Sequence, residues 1–307
     1  SLILYMVTAK GLWLNNPLPV FAAVTLVLTF GCLLVTTEFL LRLGKLRAQI
    51  ESAAGHVLAY LDRIPEVGQA VGAKFLEPVS KSIILESVSY RFDGTVLLKD
   101  VDLRLAAGTT TAIVSVDPLQ AQAVAYLLPR FIEPTSGRVL FDSEDINWCT
   151  LESLRAETIY VGGNDPFFTG TVLENITCGQ PSYGLQQATE AAKSVHAHKF
   201  ITRLPQGYET QLGEHGEDLE AGQAFLLGLA RAALRNPAVL IIEEPLAKLD
   251  EDIKALLDDA YNRLVAGRTV IFLPSRLSTV RRCDQVALIN RGRVEALGPH
   301  EELVKKS

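Results

Sequence analysis

The segment "AIVSVDPLQAQAVAYLLPRF", residues 112 to 131, has the outline of a phosphate-binding loop without its chemistry. An apolar strand, Ala112 to Val114, runs into a short polar turn and an apolar helix, and the turn "EPTSG" follows. Phosphate capture at such a turn uses the spacing G-x-x-x-x-G-K-[ST]: glycines open a backbone cradle, a Lys reaches the outer phosphates and a hydroxyl holds Mg²⁺. Here the glycine positions fall on Ser115 and Gln120, the Lys on Ala121 and the hydroxyl on Gln122, with Ala123 next. Asp117-Pro118 is a good helix start on its own terms, Asp as N-cap and Pro at the first helical position. That carboxylate satisfies the same amides, and the same positive dipole end, that would otherwise receive phosphate. An ordinary capped helix is the plainer reading. A Lys about 4 Å from a phosphate charge is worth on the order of 4 kcal/mol at an effective dielectric near 20. Its replacement by Ala, with an added anion, costs roughly three powers of ten in affinity.

A second pair of chemical residues, Glu243 and Glu244, closes the apolar run "LIIEEP". Two adjacent acids after an apolar strand read on their own as a solvated strand end. Gln122 holds a hard cation poorly. Phe92, two residues after Tyr90 on an alternating stretch, offers a π-face for stacking or packs in a core.

The elements that must position these residues follow from patterning. The formal charge of −6 over 307 residues argues against a general nucleic-acid binder. Cys32, Cys149, Cys178 and Cys283 form no C-x-x-C pair and fit a reducing compartment without a metal or disulfide framework. From Gly11 to Thr37 there is no charged residue, and residues 18–41 are long enough to span a hydrocarbon core of about 30 Å. "SLILYMVTA" before it is apolar but too short to span, and it starts without a Met, so the chain is expected to begin inside another membrane helix. "WLNNP" reads as a turn with an interfacial Trp13. Arg42, Lys45, Arg47 and Arg63 place everything after the span in the cytoplasm, giving a multi-pass membrane protein. The position within the chain does not fit a signal peptide. A buried helix of a soluble protein is the alternative.

"LLRLGKLRAQIESAAGHVLAYLDRIPEVG" continues as an amphipathic helix with Leu40, Leu43, Ile50 and Leu58 at near-helical spacing, ending at Pro65. "GQAVGAKFLEPVSKS" reads as a linker. "IILESVSYRF", the turn "DG" and "VLLKDVDLRL" predict an antiparallel start. Later strands "AVLII" and "TVIFL" alternate with helices, which implies an α/β domain with a largely parallel sheet.

Five segments in order then carry a family resemblance: "EPTSGRVLFDSEDI", "LRAETIYVGGNDPFFTGTVLENITCG", "HKFITRLPQGYETQLGEHGEDLEAGQ", "LARAALRNPAVLIIEEPLAKLD" and "RTVIFLPSRLSTVRRCDQVALINRGRVEALGPHEEL". Residues 83–307 resemble the nucleotide-binding domain of an ATP-binding-cassette (ABC) exporter. The resemblance implies a P-loop NTPase-like fold: a parallel core sheet, an antiparallel β part and a helical subdomain. It also implies that residues 1–66 are the C-terminal part of a transmembrane domain and 67–82 a linker. The cofactors it implies are ATP and Mg²⁺.

Carried over position by position, the resemblance puts Ser115, Asp117, Gln120, Ala121, Gln122 and Ala123 in the Walker A loop, and Phe92 at the adenine-stacking aromatic. Gly163 stands at the Q-loop glutamine, with no side chain to reach metal or water. Glu243 stands at the metal-orienting Asp, making it and Gln122 the Mg²⁺ positions; Glu244 stands at the general base and Ser275 at the switch histidine. The signature motif reads Leu219, Glu220, Ala221, Gly222, Gln223, and in this family it faces the partner's ATP, because two cassettes pack head to tail. Glu220 replaces the serine donor to the γ-phosphate, and a carboxylate there is repulsive. The D-loop reads "AKLD".

The expectation is an exporter subunit or half whose own ATP site is degenerate, with weak or absent ATP binding. It would act with a competent second subunit or cassette half in a lipid membrane, without nucleic acid. A non-catalytic membrane-anchored scaffold or regulatory pseudo-ATPase is the alternative. An active ATPase with unorthodox site residues is a second, supported only by Glu243 and Glu244.

Overall fold

The computed structural model describes residues 18–61, 67–163, 167–214, 216–247 and 249–306. The short apolar segment at residues 1–9, the turn at Trp13, the helix end at Pro65 and Lys248 of the D-loop lie outside the described residues. The chain forms two units, Ser1–Pro65 and Glu66–Ser307.

In the first unit, α1 (Leu18–Leu61) is a single uninterrupted helix of 44 residues. Its stretch from Ala22 to Leu61 contains the one described helix long and apolar enough to cross a membrane, with a mean hydropathy of 2.0 over its most apolar window. Four threonines fall in the apolar part without leaving a hydroxyl unsatisfied. Thr25, Thr29, Thr36 and Thr37 donate back to the carbonyls of Ala22, Leu26, Leu33 and Leu33 at 2.9–3.0 Å. Such back-bonding meets the requirement that polar groups be satisfied within the helix itself where water is excluded. Beyond it, Glu38–Arg42 and Arg47–Glu51 pair one turn apart, as charges on a solvated helix face do.

The second unit begins with the antiparallel hairpin β1 (Ser82–Phe92) and β2 (Thr95–Ala106). Asp93 and Gly94 both have positive φ, 47° and 78°, the left-handed pair that a two-residue hairpin turn needs. β3 (Thr110–Ser115), α2 (Pro118–Leu127), β4 (Ser136–Phe141), β5 (Glu144–Asp145) and α3 (Leu151–Glu157) follow. Next come β6 (Thr158–Val161), β7 (Gly170–Thr171), α4 (Val172–Thr177), α5 (Leu185–Ser194), α6 (His198–Ile201) and β8 (Gln211–Leu212). The last part holds α7 (Ala221–Arg235), β9 (Val239–Glu243), α8 (Glu251–Val265), β10 (Thr269–Leu273), α9 (Leu277–Arg282), β11 (Gln285–Asn290), β12 (Arg293–Gly298) and α10 (His300–Lys306).

A four-stranded antiparallel sheet has the order β2-β1-β4-β5, and a six-stranded sheet the order β12-β11-β3-β10-β9-β6. In the latter β11, β3, β10, β9 and β6 are mutually parallel, with only β12 antiparallel. All five residues of β10 are buried, as are Val239–Ile242 of β9, which is why these strands read as unbroken apolar runs rather than alternating ones. Parallel registry sets the site. Phe272 pairs with Ala112 and Ile242, and Ile242 with Val161, so the four strands end along one edge. Ligands of open parallel sheets bind outside that edge.

Residues 67–81 belong to the second unit and lie against it. Lys74 donates to the Trp148 carbonyl at 2.8 Å and accepts from Thr150 at 2.8 Å. Leu76 N–H donates to Ser153 Oγ at 2.9 Å.

Candidate functional site

Asp117 is the N-cap of α2, in extended geometry with Pro118 following at the helix start. Its Oδ1 accepts from Leu119 N at 3.1 Å, and its carbonyl accepts from Gln120 N at 3.0 Å. The first free amides of the helix are thus taken internally. Gln120 is buried, and its Oε1 accepts from Ser115 Oγ at 3.2 Å and from Gly292 N at 3.1 Å in the β11–β12 turn. An amide side chain therefore fills the place a glycine would leave open. Ala121 and Ala123 are buried in the core, whereas Val116 at the loop tip is 85 % exposed.

Gln122, one turn into α2, donates from Nε2 to Glu243 Oε1 at 2.6 Å. Tyr160 on β6 donates its hydroxyl to the other oxygen of Glu243. Burial, and then the bond to Glu243, push the Tyr160 hydroxyl well above the ordinary tyrosine range, so it stays a donor. Its ring is held edge-on by Tyr126, centroids 5.2 Å apart.

Glu244 is buried and receives five hydrogen bonds. Arg276 Nε and Nη2 and Thr279 Oγ1 all donate to Oε1, at 3.0, 2.7 and 2.6 Å. The backbone N–H groups of Ser275 and Arg276 donate to Oε2, at 2.9 and 3.1 Å. Burial lowers the Arg276 pKa, but the hydrogen bond and charge of Glu244 outweigh it and raise it. Ser275 turns its hydroxyl away, donating to the Pro245 carbonyl at 3.0 Å.

Gly163 lies against the same segment. A Cβ built on it would stand 2.8 Å from the Glu244 carbonyl oxygen and 2.9 Å from Pro245 Cα, so the backbones meet where a side chain would have to start. Phe92 is 61 % exposed and so is not a core residue; with Tyr90, Leu119, Ala123, Tyr126 and Ile132 it lines a cleft of 190 Å³ beside α2.

The segment Leu219 to Gln223 lies at the start of α7. Glu220 is its exposed N-cap residue, and its N–H donates to Gln223 Oε1 at 3.1 Å. Ala221 is exposed. Gly222 is buried, and a Cβ there would come 3.0 Å from Ile253 and 3.6 Å from Leu249, so this turn packs on α8 and the segment leading into it.

The structure thus brings together Ser115 with Gln120, Gln122 with Glu243, and Glu244 with Ser275 and Gly163. Tyr160, Arg276, Thr279 and Gly292 complete these groups, and sequence reasoning did not single them out. A signal was available for Arg276: a carboxylate buried behind an apolar strand requires a cation or several donors, and Arg276 is the first cation after β10.

Comparison with known proteins fits this geometry. Residues 98–247 match the family model described as ABC transporter. The chain is 32 % identical over 294 residues to ABC transporter B family member 1 of Arabidopsis thaliana, covering 91 % of this chain and 23 % of that protein. It is 32 % identical over 255 residues to an ATP-dependent lipid A-core flippase of Syntrophus aciditrophicus (strain SB), covering 83 % of this chain and 42 % of that protein. A solved bacterial Atm1-family ABC exporter with ATP bound superposes with a TM-score of 0.76 at 30 % identity, over 85 % of this chain and 46 % of that one. The chain therefore spans less than half the length of these relatives. With the fold, the order of motifs and these matches together, the chain carries an ABC-transporter nucleotide-binding cassette, similar to the cassettes of ABC exporters.

Proposed function

We propose that this cassette is the non-hydrolysing half of an exporter pair, and that a competent second cassette supplies the ATP chemistry for transport across a membrane. The family implies ATP and Mg²⁺, but the residues at the corresponding positions do not fit them well. Asp117 takes a helix amide, Gln122 and Glu243 are bonded to each other, and no cation stands at Ala121. The observation that carries the reading is Glu244. A general base needs a lone pair directed at water and a pKa near the working pH. Both oxygens of Glu244 are instead committed to five donors inside the fold.

In this reading α7 keeps a role. Gly222 sets the N-terminal turn of α7 against α8, and the exposed Glu220 and Ala221 are presented to the nucleotide of the partner cassette. Glu220 then opposes closure over a γ-phosphate, which makes the pair slow rather than inactive. α1 anchors the cassette, with the domain on the cytoplasmic side.

Hydrolysis by the purified full chain tests this. We expect no ATPase activity above background and no change with Glu244→Gln. Measurable turnover that this substitution abolishes overturns the reading in favour of an active ATPase. A chain that purifies from its native membrane without any competent cassette favours the scaffold instead.

A further inference from the structure

We propose that Gln122, Glu243 and Tyr160 form a metal-free clasp, with Tyr160 as its positioning residue, that joins α2, β9 and β6 where a divalent cation would otherwise join them. The inference rests on the proposed role only for the location of the cation.

Three elements converge on one carboxylate. Gln122 comes from the first turns of α2, Glu243 from the end of β9, and Tyr160 from β6, which pairs with β9 in parallel register, Tyr160 opposite Ile241. Mg²⁺ requires near-octahedral oxygen donors at about 2.0–2.1 Å. At Glu243 the amide nitrogen lies 2.6 Å from one oxygen, and the Tyr160 hydroxyl points at the other. Both oxygens therefore face hydrogens, which repel a cation. The amide orientation follows from chemistry: turned over, Gln122 would set a carbonyl oxygen against a carboxylate oxygen, with no proton between them.

Tyr160 completes the arrangement. With Gln122 alone, one carboxylate oxygen would carry no donor; the hydroxyl supplies it, so an ion at either oxygen must compete with a hydrogen bond. The ring cannot swing away freely. Tyr126 meets it edge-on at 5.2 Å, Phe131 meets it edge-on at 6.2 Å, and the Arg155 guanidinium lies 5.5 Å from the centre of the Phe131 ring. The clasp is thereby built into the aromatic wall between α2 and β6. Its consequence is that the junction of the start of α2 with the ends of β9 and β6 is set without nucleotide or metal.

The test uses the full chain in detergent and Mn²⁺ alone as probe, read by the loss of the free-ion paramagnetic signal. Melting is recorded in parallel in EDTA and in Mg²⁺. We expect no Mn²⁺ uptake by the wild type and the same melting temperature in both buffers. Tyr160→Phe should lower that temperature. Gln122→Ser with Tyr160→Phe should gain Mn²⁺ affinity by about tenfold or more, and adding Glu243→Ala should abolish the gain. Should the double variant not fold, Tyr160→Phe alone and Glu243→Gln serve, the first expected to gain some Mn²⁺ affinity and the second none. Wild-type Mn²⁺ binding that Glu243→Ala removes overturns the clasp. So does a folded double variant with wild-type indifference to Mn²⁺. Tight ATP binding that persists in EDTA would instead overturn the proposed role and leave the clasp standing.

Discussion

Arg276 places Nε and Nη2 on a single oxygen of Glu244, at 3.0 and 2.7 Å, with the two side chains 16 % and 1 % exposed. The same guanidinium reaches Asp258 at 3.3 Å and lies 5.7 Å from the centre of the Tyr261 ring. A carboxylate leaves water at a cost of several kcal/mol, offset only where geometry and further hydrogen bonds are good. Thr279 and two backbone N–H groups complete that shell. Glu244 is thus a structural junction between the ends of β9 and β10, and its charge is already spent inside the protein.

Removing the cation should therefore damage the fold. Arg276→Ala leaves the Glu244 carboxylate buried without its counter-charge, and truncation of one partner of such a pair costs about 3–5 kcal/mol. Urea denaturation of the full chain in detergent reads this. A loss below about 1 kcal/mol, typical of exposed pairs, would show that Glu244 is free to work in solution.

A glutamine at Gly163 should harm the fold. The added Cβ meets backbone at 2.8–2.9 Å, which no flexible side-chain end can relieve, and overpacking of this sort costs about 1–3 kcal/mol. Gly163→Gln and Gly163→Ala should both lower the melting temperature, and neither should confer ATPase activity. An unchanged melting temperature for Gly163→Gln would mean that this segment shifts freely and can accept a glutamine.

Acid should release the entry to β1 before the core unfolds. Asp142 accepts from the N–H groups of Ser80, Lys81 and Ser82 and from the Ser80 hydroxyl, at 2.7–3.1 Å. Burial raises its pKa, but these donors outweigh that and hold it below 3.8. With the folded pKa below the unfolded one, the stabilisation is complete above the unfolded value and is lost as pH falls through the folded value. Hydrogen exchange at Ser80–Ser82 should thus accelerate as pH drops below about 3.8, after correction for the intrinsic rate. Asp142→Asn should show the faster exchange already at pH 7 and little further change.

The parts legible in the sequence are those set by local chemistry. Asp117-Pro118 starts α2 as read, because a cap needs only its own next residues. The Asp93-Gly94 turn and the alternation of β1 and β2 are of the same kind. The buried runs Val239–Glu243 and Thr269–Leu273 follow from composition, and motif order carried the family. What escaped lies in contacts across long sequence separations. Tyr160 meets Glu243 across 83 residues and Glu244 meets Arg276 across 32. Position-by-position carry-over shows which family residue is replaced, but not that the replacements bind one another. Gly163 shows the same limit: it reads as a missing side chain, whereas the Glu244 backbone occupies the space where one would begin.

The exposed turn at Glu220 and Ala221 yields a prediction of gain. Glu220→Ser with Ala221→Gly removes an exposed carboxylate and supplies a hydroxyl donor. In a reconstituted pair with a competent cassette, turnover should rise by at least a few fold, since removing one repulsive contact worth about 1 kcal/mol changes a rate several fold. High salt should reduce the gain only modestly, because a closed interface is poorly screened. An unchanged rate in an assembled pair would mean that Glu220 never approaches phosphate.

The central claim, that this cassette does not hold Mg-ATP in its own site, is tested most directly by calorimetric titration of the full chain in detergent with Mg-ATP. The account predicts no saturable binding at concentrations up to about 1 mM, an affinity no better than about −4 kcal/mol. A saturable, stoichiometric Kd near 1 µM, about −8 kcal/mol, would contradict it.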